Sequence, residues 1–215
     1  VTGVQTCALP ICFVDQNGAG LPNRRIQISG SGINEEQILN IDGGFDFELG
    51  DGNYSINIYD NWNATSYPST LPPNFNFRTN GATLALTESI DIDIEFPLVP
   101  VTVKVQDELG NPLDGVRIST NGPTQTGFES GGLNLRGFTS YPTSRAAISD
   151  SSGEVGLYLL PGSAAYTFTA TPESNLGFGQ SSVSNTIIGG EIVNITLQAP
   201  NVLEGRFVDQ NRSEE

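Results

Sequence analysis

Residues 150–172, DSSGEVGLYLLPGSAAYTFTATP, spell a complete β-hairpin in side-chain chemistry. Asp150, Ser151, Ser152 and Gly153 make a turn. Val155, Leu157 and Leu159 then alternate with Glu154, Gly156 and Tyr158, the period of two expected when one strand face is buried and the other is wet. Leu160, Pro161 and Gly162 interrupt the strand. After them Tyr166, Phe168 and Ala170 alternate with Thr167 and Thr169, and Pro172 ends the return strand. The spacing predicts Val155, Leu157, Leu159, Tyr166 and Phe168 in a single core.

The same pattern occurs earlier. Phe45, Phe47 and Leu49 lead into a turn of Gly50, Asp51, Gly52 and Asn53, and Tyr54, Ile56 and Ile58 return from it. Gly43, Leu49 and Gly52 each stand 110 positions before Gly153, Leu159 and Gly162, with two extra residues in the second turn, where hairpins tolerate length. Upstream of each hairpin, FVDQN at residue 13 and VQDELGN at residue 105 open similar strand–turn–strand units, and FVDQN returns at residue 207. Each full unit closes on an alternating strand, Ile90 to Phe96 in one and Val193 to Leu197 in the other. A period near one hundred residues is the size of one immunoglobulin-like sandwich. The expected architecture is therefore all-β, tandem antiparallel β-sandwiches over residues 13–98 and 99–200, with residues 201–211 starting a third.

The ends read differently. VTGVQTCALPI at the start and RSEE at the close resemble a translated sequencing adapter, so residues 1–12 and 212–215 are expected to be artefactual and the rest an internal piece of a longer reading frame. Aligning Phe13 with Val105 leaves the first unit without counterparts to Val101 and Val103, so its opening strand is expected to be short.

Composition removes whole classes of function. The formal charge is −15 and the one lysine and scattered arginines form no run, whereas a phosphate backbone calls for clustered Lys and Arg. Nucleic acid is thus excluded as an expected partner. With no histidine, and both cysteines in the first twelve residues, Ser-His and Cys-His nucleophiles and the usual zinc ligand sets are absent. Asp91, Asp93 and Glu95 lie side by side along one strand face, not across a cleft as a glycosidase pair must. The chain is expected to be no enzyme by itself and to need no cofactor.

Two candidate binding sets remain. Asp15, Asn17, Asp107 and Asp150, with Asp42 and Asp51, supply hard oxygen ligands for calcium, although Asp and Asn also occupy turns for backbone reasons. Residues 60–81 and 119–145 read as long polar loops carrying Trp62, Tyr67, Phe75 and Phe77 in one and Phe128, Phe138 and Tyr141 in the other. Trp62, Tyr67, Phe138 and Tyr141 are the candidate glycan contacts; the alternative is that the rings pin the loops to a sandwich edge. Asn53, Asn63 and Asn194 begin N-x-S/T triplets, frequent by chance in so polar a chain.

The pattern VxDxxGNPLxGVxI followed by SDSSGEVGLYLLPGxxxYTFTATP resembles the carboxypeptidase-regulatory and collagen-adhesin B-type repeats, a prealbumin-like group of immunoglobulin-like sandwiches. The resemblance implies a bacterial or archaeal cell-surface or secreted setting, with modules acting as spacers or adhesive units beside neighbouring repeats of the same chain, and glycans or surface proteins as partners. An accessory carbohydrate-binding module of a secreted hydrolase is the alternative it allows. Some members join a first-strand lysine to a last-strand asparagine. Lys104 matches the lysine by position, but it alternates with Val103 and Val105, so its side chain is expected in solvent.

Overall fold

The computed structural model describes residues 11–60, 71–81, 84–88 and 92–199. The strands, in order, are β1 (Ile11–Val14), β2 (Arg25–Gly30), β3 (Ile33–Ile38), β4 (Gly44–Phe45), β5 (Gly52–Tyr59), β6 (Asn74–Thr79), β7 (Leu84–Leu86), β8 (Ile92–Glu95) and β9 (Val99–Asp107). They continue with β10 (Arg117–Asn121), β11 (Thr126–Ser130), β12 (Leu133–Ser140), β13 (Ala147–Ile148), β14 (Glu154–Leu159), β15 (Ala165–Thr171), β16 (Ser181–Thr186) and β17 (Ile192–Leu197). The chain is all-β, as expected.

Two groups of strands, one in each of the expected units, repeat a topology. β1 pairs antiparallel with β4 and parallel with β8; β9 pairs antiparallel with β14 and parallel with β17. The sheets are antiparallel, as expected, apart from these two parallel pairs. In each unit the closing strand crosses over from the opposite layer, so it reaches the opening strand running in the same direction. Opposite these lie β3-β2-β5 with β7, and β13-β10-β15-β16. Gly43 and Gly153 make the equivalence visible in atoms: both have positive φ, and a Cβ on either would sit 2.3 Å from Phe13 O or 2.5 Å from Val105 O.

The long-loop reading is corrected where the chain is described, because Asn74–Thr79 of the first segment and most of 119–140 in the second are strand. β12 pairs with β6 over Leu135↔Thr79 to Ser140↔Asn74, and β11 pairs with β12, giving one sheet in the order β11-β12-β6-β5-β2-β3. The hairpin of the second unit thus completes the sheet of the first. NFNFRT and LNLRGFTS both alternate with period two, but Asn, Arg and Gly on the outer face masked the pattern.

Burial follows the alternation. Phe45, Phe47, Leu49, Tyr54, Ile56 and Ile58 are buried in a first cluster, and Leu157, Leu159, Tyr166 and Phe168 in a second. Val155, next to the turn, is only half-buried against that second cluster. The first cluster is rich in rings: Phe77 and Phe96 stand 4.4 Å apart by centroid, Phe13 and Phe45 5.5 Å, and Phe128 of the borrowed hairpin meets Phe77 edge-on at 5.4 Å. Gly137 permits the strand contact that brings β12 in. A Cβ there would lie 2.1 Å from Asn76 O and 2.2 Å from the Phe77 ring.

Candidate functional site

Where β12 joins β6, alternation sends Leu135 into the core and turns Arg136, Phe138 and Ser140 outward. Register sets these three directly opposite Arg78, Asn76 and Asn74 of β6, while Asn57 and Tyr59 of β5 continue the row. Asn121, Pro123, Thr124 and Gln125, between β10 and β11, form the facing wall. The result is a trough of three adjoining depressions of about 310, 280 and 330 Å³ that follows β12 past Phe138 to Tyr141. Phe138 stands between the first two and stacks on no other ring among the described residues.

The polar groups of the trough are only partly engaged with one another. Asn74 Nδ2 donates to Ser140 Oγ at 2.7 Å, and Arg136 Nη1 donates to Gln125 Oε1 at 3.0 Å. Arg136 Nε and Asn57 Oδ1 are shielded from solvent and bonded to nothing among the described residues. Arg136 and Arg78 face each other across the strands, an arrangement that costs stability when two like charges are left alone. Neither arginine makes an ion pair among the described residues, and Glu129 of β11 is opposite Asn134, two positions away. The sequence reading that the arginines form no cluster is corrected to this extent: two of them meet. A pair is still far short of the basic surface a nucleic acid requires.

The sequence-predicted aromatics divide. Phe138 lines the trough. Tyr141 is 7% exposed, and its hydroxyl accepts the Tyr158 N–H at 3.0 Å. Burial pushes the Tyr141 phenol up to about 12, and its ring pins the chain in place. Phe75 and Phe77 are core residues, and Phe128 is partly buried against them. Trp62, Tyr67 and Asn63 lie outside the described residues. Asn74, Asn76, Arg78, Asn121, Gln125 and Arg136 were not foreseen as site residues; the outward beat of NFNFRT was the available signal.

The candidate calcium ligands serve their own turns. Asp15 Oδ1 accepts the N–H groups of Asn17 and Ala19 at 2.8 and 3.0 Å. Asp107 Oδ1 accepts those of Leu109 and Asn111, and Asp150 Oδ1 those of Ser152 and Glu154. Asn111 holds the Asp107 carboxyl below its usual value, and the Ser152 hydroxyl and the turn N–H groups do so for Asp150. In the first unit Asn40 takes the Asp150 place, accepting from Asp42 and Gly44. Asn17, Asp42 and Asp51 are exposed, and no group of three or more His, Cys, Asp or Glu poised for a metal occurs among the described residues.

Lys104 stands in one cross-strand row with Glu154 and Asn194. That row faces solvent, with Val103, Val155 and Val193 on the side of the core, and Lys104 Nζ pairs with Glu154 Oε1 at 2.6 Å. Asp93 and Glu95 are likewise on an exposed face, and Asp91 lies outside the described residues.

No protein-family model and no curated protein matches the chain. Among solved structures it is similar to the shaft pilin SpaA of Lactobacillus rhamnosus GG, at 12% identity and TM-score 0.43, over 93% of this chain and 100% of that one. A streptococcal ancillary pilin is 16% identical with TM-score 0.36, over 93% of this chain and 64% of that one. The TIE protein of Bacillus anthracis is 15% identical with TM-score 0.33, over 90% of this chain and 33% of that one. At such identities the likeness carries no inference about function.

Proposed function

We propose that the chain is a stiff two-unit spacer from a secreted or cell-surface adhesive repeat protein, without catalytic activity of its own. The observation that carries this is the pairing of β12 with β6, which seats a hairpin of the second unit in the sheet of the first. Two units joined by a short linker alone would pivot. Here a backbone ladder joins them, and a buried charge cluster reinforces it: Asp60, 1% exposed, accepts from Arg145 of the second unit at 2.6 Å and lies 3.6 Å from fully buried Arg24 of the first. Arg145 also donates to Pro73 O at 2.8 Å. Stiffness under load is what a stalk requires, and the acidic surface keeps it soluble. Partners in this reading are neighbouring repeats of the parent chain. The alternative, an accessory carbohydrate-binding module of a secreted hydrolase, draws on the trough along β12.

Single-molecule extension tests the spacer reading. The wild-type chain should yield in one joint event, and Gly137→Ala, which pries β12 from β6, should split it into two weaker ones. Two independent ruptures in the wild type would contradict the proposal.

A further inference from the structure

We propose that the trough along β12 binds an acidic polysaccharide, with Arg78 and Arg136 holding an anionic substituent and Phe138 stacking on a sugar ring. Charge complementarity points there first. In a chain of charge −15 with only nine Lys and Arg, two arginines are set opposite each other in register, and among the described residues neither makes an ion pair. A carboxylate or sulfate between them would relieve that repulsion, and the planar guanidinium forks suit either group. Glu129 on β11 is a diagonal neighbour of Arg136 and makes no ion pair with it, and the more distant acidic groups act weakly because ions screen exposed charges over about 8 Å at physiological ionic strength.

The shape of the site selects a chain of sugars over a lone anion. From Arg136 to Tyr141 the strand runs about 17 Å at its ordinary rise, which is room for several rings end to end. Phe138 offers the apolar face that the C–H side of a pyranose prefers, and Asn74, Asn76, Asn121 and Gln125 present amides, each both donor and acceptor, to its hydroxyls. The floor offers no free strand edge, since β12 is paired on both sides by β11 and β6, so an extended peptide cannot add itself as another strand. This inference is independent of the spacer reading, and either can fail alone.

The test is calorimetric titration of the full chain with polygalacturonate and dextran sulfate, against neutral galactan, neutral dextran and poly-glutamate. At least one acidic polysaccharide should bind, with affinity falling as salt rises, and its neutral counterpart should bind about tenfold or more weakly, the loss of one charge-assisted contact. Which of the two acidic polymers binds distinguishes carboxylate from sulfate. Phe138→Ala, Arg136→Gln and Arg78→Gln should each weaken binding by about tenfold or more, while Lys104→Gln on the opposite sheet should not. All three trough side chains are on the outer face of the sheet, Arg78 exposed and Arg136 and Phe138 partly buried, and circular dichroism checks the fold of each variant. Equal binding of neutral polymers, equal binding of poly-glutamate, no binding of any acidic polysaccharide, or folded trough variants with unchanged affinity would each overturn the proposal.

Discussion

The two halves share a topology but achieve stability differently. In the second, β9 runs nine residues and pairs with six on each side, and its core is mostly aliphatic, built on Val101, Val103, Val105, Ile118, Leu157 and Ile195. In the first, β1 has four residues and β4 two, and the core is stacked phenylalanine. The first cluster includes Leu135 and Leu160 and leans on Phe128, Leu133 and Tyr158; among the described residues the second contains none before Val99. Dependence therefore runs one way. The opening layer of the first half has the shorter ladders, and the borrowed hairpin adds Leu135 and the edge of Phe128 to its core.

This asymmetry can be broken by design. Asp60→Ala removes the shared acceptor and leaves Arg24 charged in the interior, and should cost about 3–5 kcal/mol in chemical unfolding. Leu157→Ala, in the self-sufficient half, should cost about 2–5 kcal/mol, and the first half should melt with it. Ile56→Ala carries a cavity penalty in the same range of about 2–5 kcal/mol, yet the signals of the second half should survive it. If both variants gave identical two-half melting, the one-way dependence would be wrong. The smallest effect is expected from pH. The folded carboxyls of Asp107 and Asp150 lie below the ordinary aspartate value of 3.8, so their contribution is present above that value and is lost as pH falls through the folded values. Unfolding midpoints measured from pH 5 downward should fall less steeply in Asp150→Asn than in the parent; an unchanged slope would show that the turn contributes nothing.

Most of the sandwich was legible because its strands state their phase locally. Tyr54, Ile56 and Ile58, or Val193, Ile195 and Leu197, need only a period of two to be placed. The joining sheet was not legible for a different reason. Phe77 and Gly137 are 60 positions apart, and nothing in either segment names the other as partner. Outer-face Asn and Arg made the two segments read as loops. The trough inherits that blindness: Phe138 was visible as an aromatic in a polar stretch, whereas the Arg78–Arg136 pair exists only once the strands meet. Tyr141 shows the converse, an aromatic that signals recognition in sequence and serves as a peg in the fold.

Native-state hydrogen exchange resolved by segment tests the shared sheet most directly. Amides of β12 should open together with those of β6, at one free energy and one denaturant dependence, and before those of β14 and β15. Exchange of β12 at the rate of an exposed turn such as residues 108–112, with β6 still protected, would show that the two halves are not joined through this ladder.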